Sequence, residues 1–177
     1  MRRAVLGLLA VGPLLLGSCG YRSVYATPSE KLHVHLSKVA IADAAAAVEV
    51  ENGAREYLSR EGALAAGEGF PMLEIDVLRV DESSEGIAAT PAGTPRARST
   101  RLGVLGRAIV VPRDGAAAVV DTGDVRASDL ATVPADPATE LTGRADALRA
   151  IARRLGQRLA ARALGHPEPS ETEAQDP

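Results

Sequence analysis

The chain has 177 residues, which is about one domain's worth, and 46% of them are hydrophobic and 24% charged. Aromatic residues make up only 2%, which excludes a binding surface built on stacking against bases or sugars. The formal net charge of −3 gives no basis for nucleic-acid binding, and the single cysteine, Cys19, excludes a disulfide framework and a thiolate metal cluster.

The N-terminus has the organisation of a secretory signal. Arg2 and Arg3 precede an uncharged apolar run, Ala4–Leu16, which is shorter than the roughly 20 residues of a membrane-spanning helix. The run ends in Leu-Gly-Ser directly before Cys19, which resembles the bacterial lipobox; the alternative is an ordinary signal peptide that happens to contain a cysteine. The lipobox implies a signal peptide at residues 1–18 and lipid attachment at Cys19, where several acyl chains would form a durable anchor.

Residues 19–31 are polar and carry a proline, and we interpret them as a lipidated tether. The alternating, β-branched segment that follows predicts a strand over residues 33–41. His33 and His35 would lie on the same face of this strand, at a spacing that a metal pair could use. Without a third ligand nearby in the sequence, two surface histidines are the favoured interpretation, and we predict no metal site.

A helix is predicted over residues 44–60, with Asp43 as its N-cap. Apolar residues recur there at the 3-4 spacing of one helix face. Gly53 lies inside this pattern and costs roughly 1 kcal/mol relative to alanine, so the helix needs tertiary support.

The clearest strand is predicted over residues 71–81, where apolar and charged residues alternate. The alternation changes phase by one residue near Val77–Leu78. A change of phase would turn half of the apolar side chains to the wrong face, so we predict a β-bulge at this point.

The middle of the chain predicts a meander of strands and turns. Composition indicates a flexible loop at 83–99, and alternation indicates a strand at 100–111. Pro-Arg-Asp-Gly at 112–115 is a hairpin-turn signal, and a third strand of the meander is expected at 116–121. Small polar residues and prolines make 123–137 irregular in this interpretation.

The last element is a long helix predicted over 138–164 and ended by Gly165. Its apolar stripe consists of Leu141, Ala145, Leu148, Ile151, Ala152, Leu155, Leu159 and Ala163. The arginines outside the stripe are interpreted as a solvated face, and residues 166–177 as a disordered acidic tail. The element order β-α-β-β-β-α predicts an α+β fold, with a small, mostly antiparallel sheet and two helices packed on one face.

This organisation resembles the LPS-assembly lipoprotein LptE family. Family members begin the mature chain with Cys-Gly-aromatic, as in Cys19–Arg22, place a strand like Lys38–Ile41 ahead of the first helix, and close with a helix like Asp146–Leu155. The Pro-x-x-x-Asn segment that usually follows the first strand is absent here. The resemblance implies an LptE-like domain over residues 32–165 and no enzymatic activity.

The resemblance further implies an outer-membrane lipoprotein on the periplasmic side that partners and plugs the barrel LptD and contacts lipopolysaccharide. Gly20 is consistent with the outer membrane, since Asp at that place favours inner-membrane retention in enteric lipoproteins. Arginine suits phosphate recognition through its bidentate fork. The candidate residues for contact with lipopolysaccharide or partner are Arg96, Arg98, Arg101 and Arg107, which occur with no acid between Glu85 and Asp114. A solvated, arginine-rich loop is the alternative.

Other functions remain open at this point. An auxiliary lipoprotein of a phospholipid-trafficking ABC system of the MCE type would share the lipobox, the small α/β domain and the closing helix. A structural envelope lipoprotein is the second alternative. A lipid-anchored enzyme is the third, but no nucleophile–base pair, phosphate-cradling glycine loop or metal cluster can be assembled from the sequence, so no cofactor is predicted.

Overall fold

The structure is a computed structural model that describes residues 30–89, 95–132 and 136–167. The signal segment, Cys19, most of the tether and the tail beyond Pro167 lie outside the described residues. In chain order, the elements are β1 (His33–Val39), α1 (Ala44–Arg60), β2 (Met72–Ala89), β3 (Pro95–Val111), β4 (Val120–Thr132) and α2 (Pro137–Ala163).

The strands form one sheet in the order β1-β2-β3-β4. β1 runs parallel to β2, because α1 connects them as a crossover, whereas β2, β3 and β4 are antiparallel neighbours. Both helices pack on the same face of the sheet. The α+β class, the β-α-β-β-β-α order and the one-sided helical layer are confirmed.

Helix α1 has the bounds predicted from the sequence. The carboxylate of Asp43 accepts a hydrogen bond of 3.0 Å from the backbone N–H of Ala46, which satisfies a donor at the helix start. The face that carries Val50, Ala54 and Leu58 is fully buried against α2 and the sheet. The tertiary support that this helix needs therefore comes from both layers.

Glycines allow the two helices to approach at backbone distance. A Cβ atom on Gly53 would lie 2.0 Å from the carbonyl oxygen of Arg153, and one on Gly156 would lie 1.9 Å from that of Val50. Since ordinary contacts begin near 3.4 Å, no other residue fits at either position without moving a helix. Gly53, which lowers intrinsic helix propensity, is thus a packing residue.

Helix α2 begins one residue before its predicted start and ends one residue before its predicted end. Gly165 follows it with φ of 72°, and the N–H of His166 donates to the carbonyl of Ala161, which completes a Schellman cap. The predicted stripe is buried from Leu148 to Leu159 and half-buried at Ala163, whereas Leu141 is 69% exposed. The inclusion of Leu141 in the core was therefore wrong.

The predicted bulge is confirmed: the pairing of β2 with β3 shifts between Val77 and Arg79. Two predictions of irregular structure are wrong. Residues 83–89 and 95–99 extend β2 and β3 as a hairpin, paired as far as Ala89 and Pro95.

Residues 123–132 belong to β4 as well, which starts four residues later than the predicted third strand. No strong apolar alternation marks this end of the sheet, because many side chains on both of its faces are polar and charged.

Candidate functional site

The four candidate arginines all lie on β3. From the sequence, Arg96 and Arg98 were predicted in a loop and Arg101 and Arg107 in the strand that follows it. The structure describes the backbone of Arg96 and Arg98 but not their side chains. Arg101 and Arg107 lie six positions apart on one strand, so about 20 Å separates them along it. The structure therefore brings these two into one row on β3 but does not gather them into one cluster.

Arg101 is bound to a carboxylate of the neighbouring strand. Its Nε donates to Oε1 of Glu85 at 2.5 Å and a second nitrogen donates to Oε2 at 3.2 Å, in a bidentate arrangement. This hydrogen bond lowers the pKa of Glu85 and raises that of Arg101 relative to their ordinary values. Both side chains are about 39% exposed, so Arg101 is accessible but already neutralised.

Arg107 forms a second such pair, with Asp121 on β4. Its Nε donates to Oδ1 of Asp121 at 2.8 Å, and the backbone N–H of Gly123 donates to the same oxygen at 2.9 Å. These bonds lower the pKa of Asp121 to about 2. Gly123 has φ of 64° in the irregular stretch where β4 shifts register, a conformation that favours glycine.

The face of the sheet opposite the helices is therefore lined with ion pairs, both within one strand and between strands. Arg126 of β4 lies 3.7 Å from Asp81, which also holds Arg79 at 3.0 Å. Leu102 and Val104 point to the helices, so their neighbours along β3 point to this open face. Among the described residues, the fold thus offers a partner a polar sheet face that no helix covers.

Most arginines of α2 are exposed, as the predicted solvated face requires, whereas Arg154 and Arg158 are half-buried. Arg154 pairs with Asp129 of β4 at 2.5 Å, and Arg153 pairs with Glu49 of α1 at 3.2 Å. Two others reach the edge of β4, where Arg158 donates to the carbonyl of Arg126 at 3.0 Å and Arg162 to that of Thr122 at 3.1 Å. These contacts tie α2 to the sheet and occupy backbone acceptors at its edge.

The described residues place no group of metal ligands around the two histidines of β1. Nδ1 of His33 lies 2.9 Å from the carbonyl oxygen of Gly67, and His35 is exposed. In the part of the chain that the structure describes, no three histidine, cysteine or carboxylate side chains are grouped as metal ligands. The two histidines lie at the surface of the sheet edge, as the sequence favoured.

The sequence missed the carboxylate partners Glu85, Asp121 and Asp129. Strand register decides which acid faces which arginine. That register could be derived only if residues 83–89 and 123–132 were recognised as strands, whereas both were predicted to be irregular. Glu85 lies between a Ser-Ser pair and a glycine, so its surroundings indicated a turn. No signal in the linear sequence marked Asp121 as the partner of Arg107.

The sheet with two helices on one face belongs to a class of α+β domain that occurs among bacterial lipoproteins. A candidate lipoprotein from Caulobacter crescentus CB15 shares it with a TM-score of 0.51 and 12% identity, over 73% of this chain and 88% of that one. A minor lipoprotein from Acinetobacter baumannii shares it with a TM-score of 0.50 and 12% identity, over 75% of this chain and 90% of that one. By sequence, no family model and no curated protein matches the chain.

We also searched the described ranges for a helix that could span a membrane. No helix within 30–89, 95–132 or 136–167 is long and apolar enough to cross a bilayer. Cys19, the predicted site of lipid attachment, precedes the described residues.

Proposed function

We propose that this protein is a non-enzymatic outer-membrane lipoprotein, anchored on the periplasmic side through Cys19, that assists lipopolysaccharide assembly as the partner and plug of an LptD barrel. The observation that carries the proposal is the lipobox cysteine followed by Gly-Tyr-Arg, in a chain whose fold occurs among bacterial lipoproteins. The role in lipopolysaccharide assembly is inferred from the sequence resemblance to the LptE family.

The open face of the sheet supports a partner with a polar interior. Its arginines Arg101, Arg107 and Arg126 already lie beside carboxylates, so enclosing this face removes few unpaired arginines from water. The lumen of a membrane barrel is polar and is in some cases filled by a plug. The paired open face suits such a wall better than it suits an apolar surface.

Lipopolysaccharide contact is assigned to the strand that carries Arg96, Arg98, Arg101 and Arg107. Arg101 and Arg107 would have to exchange a carboxylate for a phosphate when lipopolysaccharide binds.

Two measurements on the tagged full chain, expressed in a Gram-negative host together with LptD, test the proposal. Labelling with radioactive palmitate is expected for the wild type and lost in Cys19→Ala. Purification from detergent is expected to recover LptD in near-equal amount. Recovery of MCE-domain and permease proteins would support the phospholipid-trafficking alternative, and recovery of envelope proteins without a barrel would support a structural lipoprotein.

The lipopolysaccharide contact has its own test. Arg96, Arg98 and Arg101 are replaced together by alanine, and lipopolysaccharide binding is compared in a pull-down. A control replaces Arg60, Arg113 and Arg149 by alanine, which removes the same charge elsewhere. Loss of binding only in the first variant is expected; unchanged binding would remove the hairpin from the lipopolysaccharide site while leaving the LptD partnership to its own experiment.

A further inference from the structure

A groove of about 550 Å³ lies along β1. Its walls come from β1, from α1, from the start of β2, and from the segments before β2 and after β3. We name it the β1-edge groove, and its carboxylates are Glu51, Glu68, Glu74 and Asp114. The volume lies within the range of about 300–1,000 Å³ that is typical of ligand sites.

Three carboxylates of the β1-edge groove have no ion-pair or hydrogen-bond partner among the described residues: Glu68, Glu74 and Asp114. Glu51 differs, since Arg55 binds it at 2.8 Å and 3.0 Å through two nitrogens. The four carboxylates and Arg55 together give the groove a formal charge of −3. By contrast, Glu85 and Asp121 each hold an arginine of β3.

The groove also exposes the edge of a strand. β1 is the outermost strand, and beyond its outer side the described residues add only a bridge between Leu32 and Leu64. The N–H of His33 donates inward to Pro71 and the carbonyl of Val34 accepts outward from Arg55, so alternation turns the N–H groups of Val34 and Leu36 toward the groove. An exposed strand edge can accept an extended chain as an additional strand.

We propose that the β1-edge groove binds a basic, extended segment of another polypeptide, which adds a strand along β1 and places its lysines or arginines on Glu68, Glu74 and Asp114. Phe70, which is 39% exposed, and Met72 also line the groove and provide apolar contacts for the aliphatic stems of the basic side chains. This site is separate from the proposed barrel partnership and does not rest on it.

Two features of the groove select a polypeptide. Backbone N–H groups at a strand edge match the regular amide spacing of an extended chain, which a polyamine lacks. The three unpartnered carboxylates do not gather with other ligands into a metal-binding group within the described parts of the chain. A basic strand satisfies both the backbone donors and the charge.

The test uses the full chain, purified with its lipid anchor in detergent, and fluorescence anisotropy of a labelled nine-residue peptide of alternating lysine and valine. The groove variant is Glu68→Gln, Glu74→Gln and Asp114→Asn together. A control removes the same charge elsewhere, by Glu56→Gln, Asp124→Asn and Asp146→Asn. We expect about tenfold weaker binding to the groove variant and a change below about twofold for the control.

A second probe separates strand addition from charge alone. The same peptide with every second amide nitrogen methylated keeps its charge but cannot donate hydrogen bonds along one edge, and we expect about tenfold weaker binding. Hydrogen exchange of residues 33–39 should slow when the unmodified peptide binds.

Absence of binding, equal weakening in both triple variants, or equal affinity of the methylated peptide would each overturn the proposal. If circular dichroism shows the groove variant unfolded, Glu68→Gln alone, in the segment before β2, provides the comparison. Its expected loss of affinity is about twofold, against none for Asp124→Asn. No difference between these two single variants would also overturn the proposal.

Discussion

Substitution of Gly156 by alanine tests the closest contact between the helices. A Cβ atom there would lie 1.9 Å from the carbonyl oxygen of Val50, and restoring a 3.4 Å contact requires a displacement of about 1.5 Å. Backbone atoms on both sides of the contact cannot relieve it by a change of rotamer. Overpacking of this kind costs about 1–3 kcal/mol or more, against a gain of about 1 kcal/mol in helix propensity.

The two effects have opposite signs, so the sign of the measured change decides between them. At the upper end of the overpacking range, we expect Gly156→Ala to lower the free energy of unfolding by about 2 kcal/mol, or the midpoint of thermal unfolding by roughly 4–8 °C. Urea unfolding followed by circular dichroism at 222 nm measures it, because helix dominates that signal.

Gly143 provides the matched control in the same helix. Nothing lies within 4 Å of the position of its Cβ atom, so Gly143→Ala should raise stability by about 0.8–1 kcal/mol. Gly53→Ala should resemble Gly156→Ala, and the double variant should lose less than the sum, because the first displacement makes room for the second methyl group. Equal stabilisation by Gly156→Ala and Gly143→Ala would refute the close approach of the helices.

Three further predictions follow from single contacts. Asp43→Ala removes the N-cap of α1 and should cost about 1 kcal/mol in urea unfolding, and an unchanged midpoint would contradict the cap. The folded-state pKa of Asp121 is about 2 against an ordinary 3.8, so its stabilising contribution is present above pH 3.8 and is lost as the pH falls toward 2. Acid titration by circular dichroism should therefore show a shallower loss for Asp121→Asn in that window, and coincident profiles would exclude a role for the pair. Replacing Arg158 and Arg162 together by alanine frees carbonyls at the edge of β4 and should raise light scattering at high concentration, with Arg149→Ala as control; a monodisperse double variant would show that other features protect the edge.

The elements that bury one face against another helix or strand were predictable from the sequence. The bounds of α1, and the bulge after Val77, followed from the spacing of apolar residues alone, because burial of one face imposes that spacing. The hairpin beyond Asp81 was missed because it lacks the apolar spacing that burial of one face would impose. Its faces are largely polar, so the strand is maintained by cross-strand hydrogen bonds and by pairs such as Glu85 with Arg101, which leave no apolar period.

The candidate site was less predictable than the fold. Arginine content on β3 was visible in the sequence, but the neutralisation of Arg101 and Arg107 depends on which residues the neighbouring strands place opposite them. The β1-edge groove likewise unites residues from four separate segments of the chain. Glu74 and Asp114 are 40 positions apart in sequence, and only the completed sheet brings them to one wall.

The contacts of Arg158 and Arg162 with β4 have a consequence for how the protein folds. The side chains that shield this edge are supplied by the last helix in the chain, so the edge stays unshielded until α2 has packed. Until then, β4 presents open acceptors to any neighbouring chain. A product truncated inside α2 would therefore be prone to aggregation as well as less stable. We expect chaperones and proteases to act on such fragments in preference to the full chain.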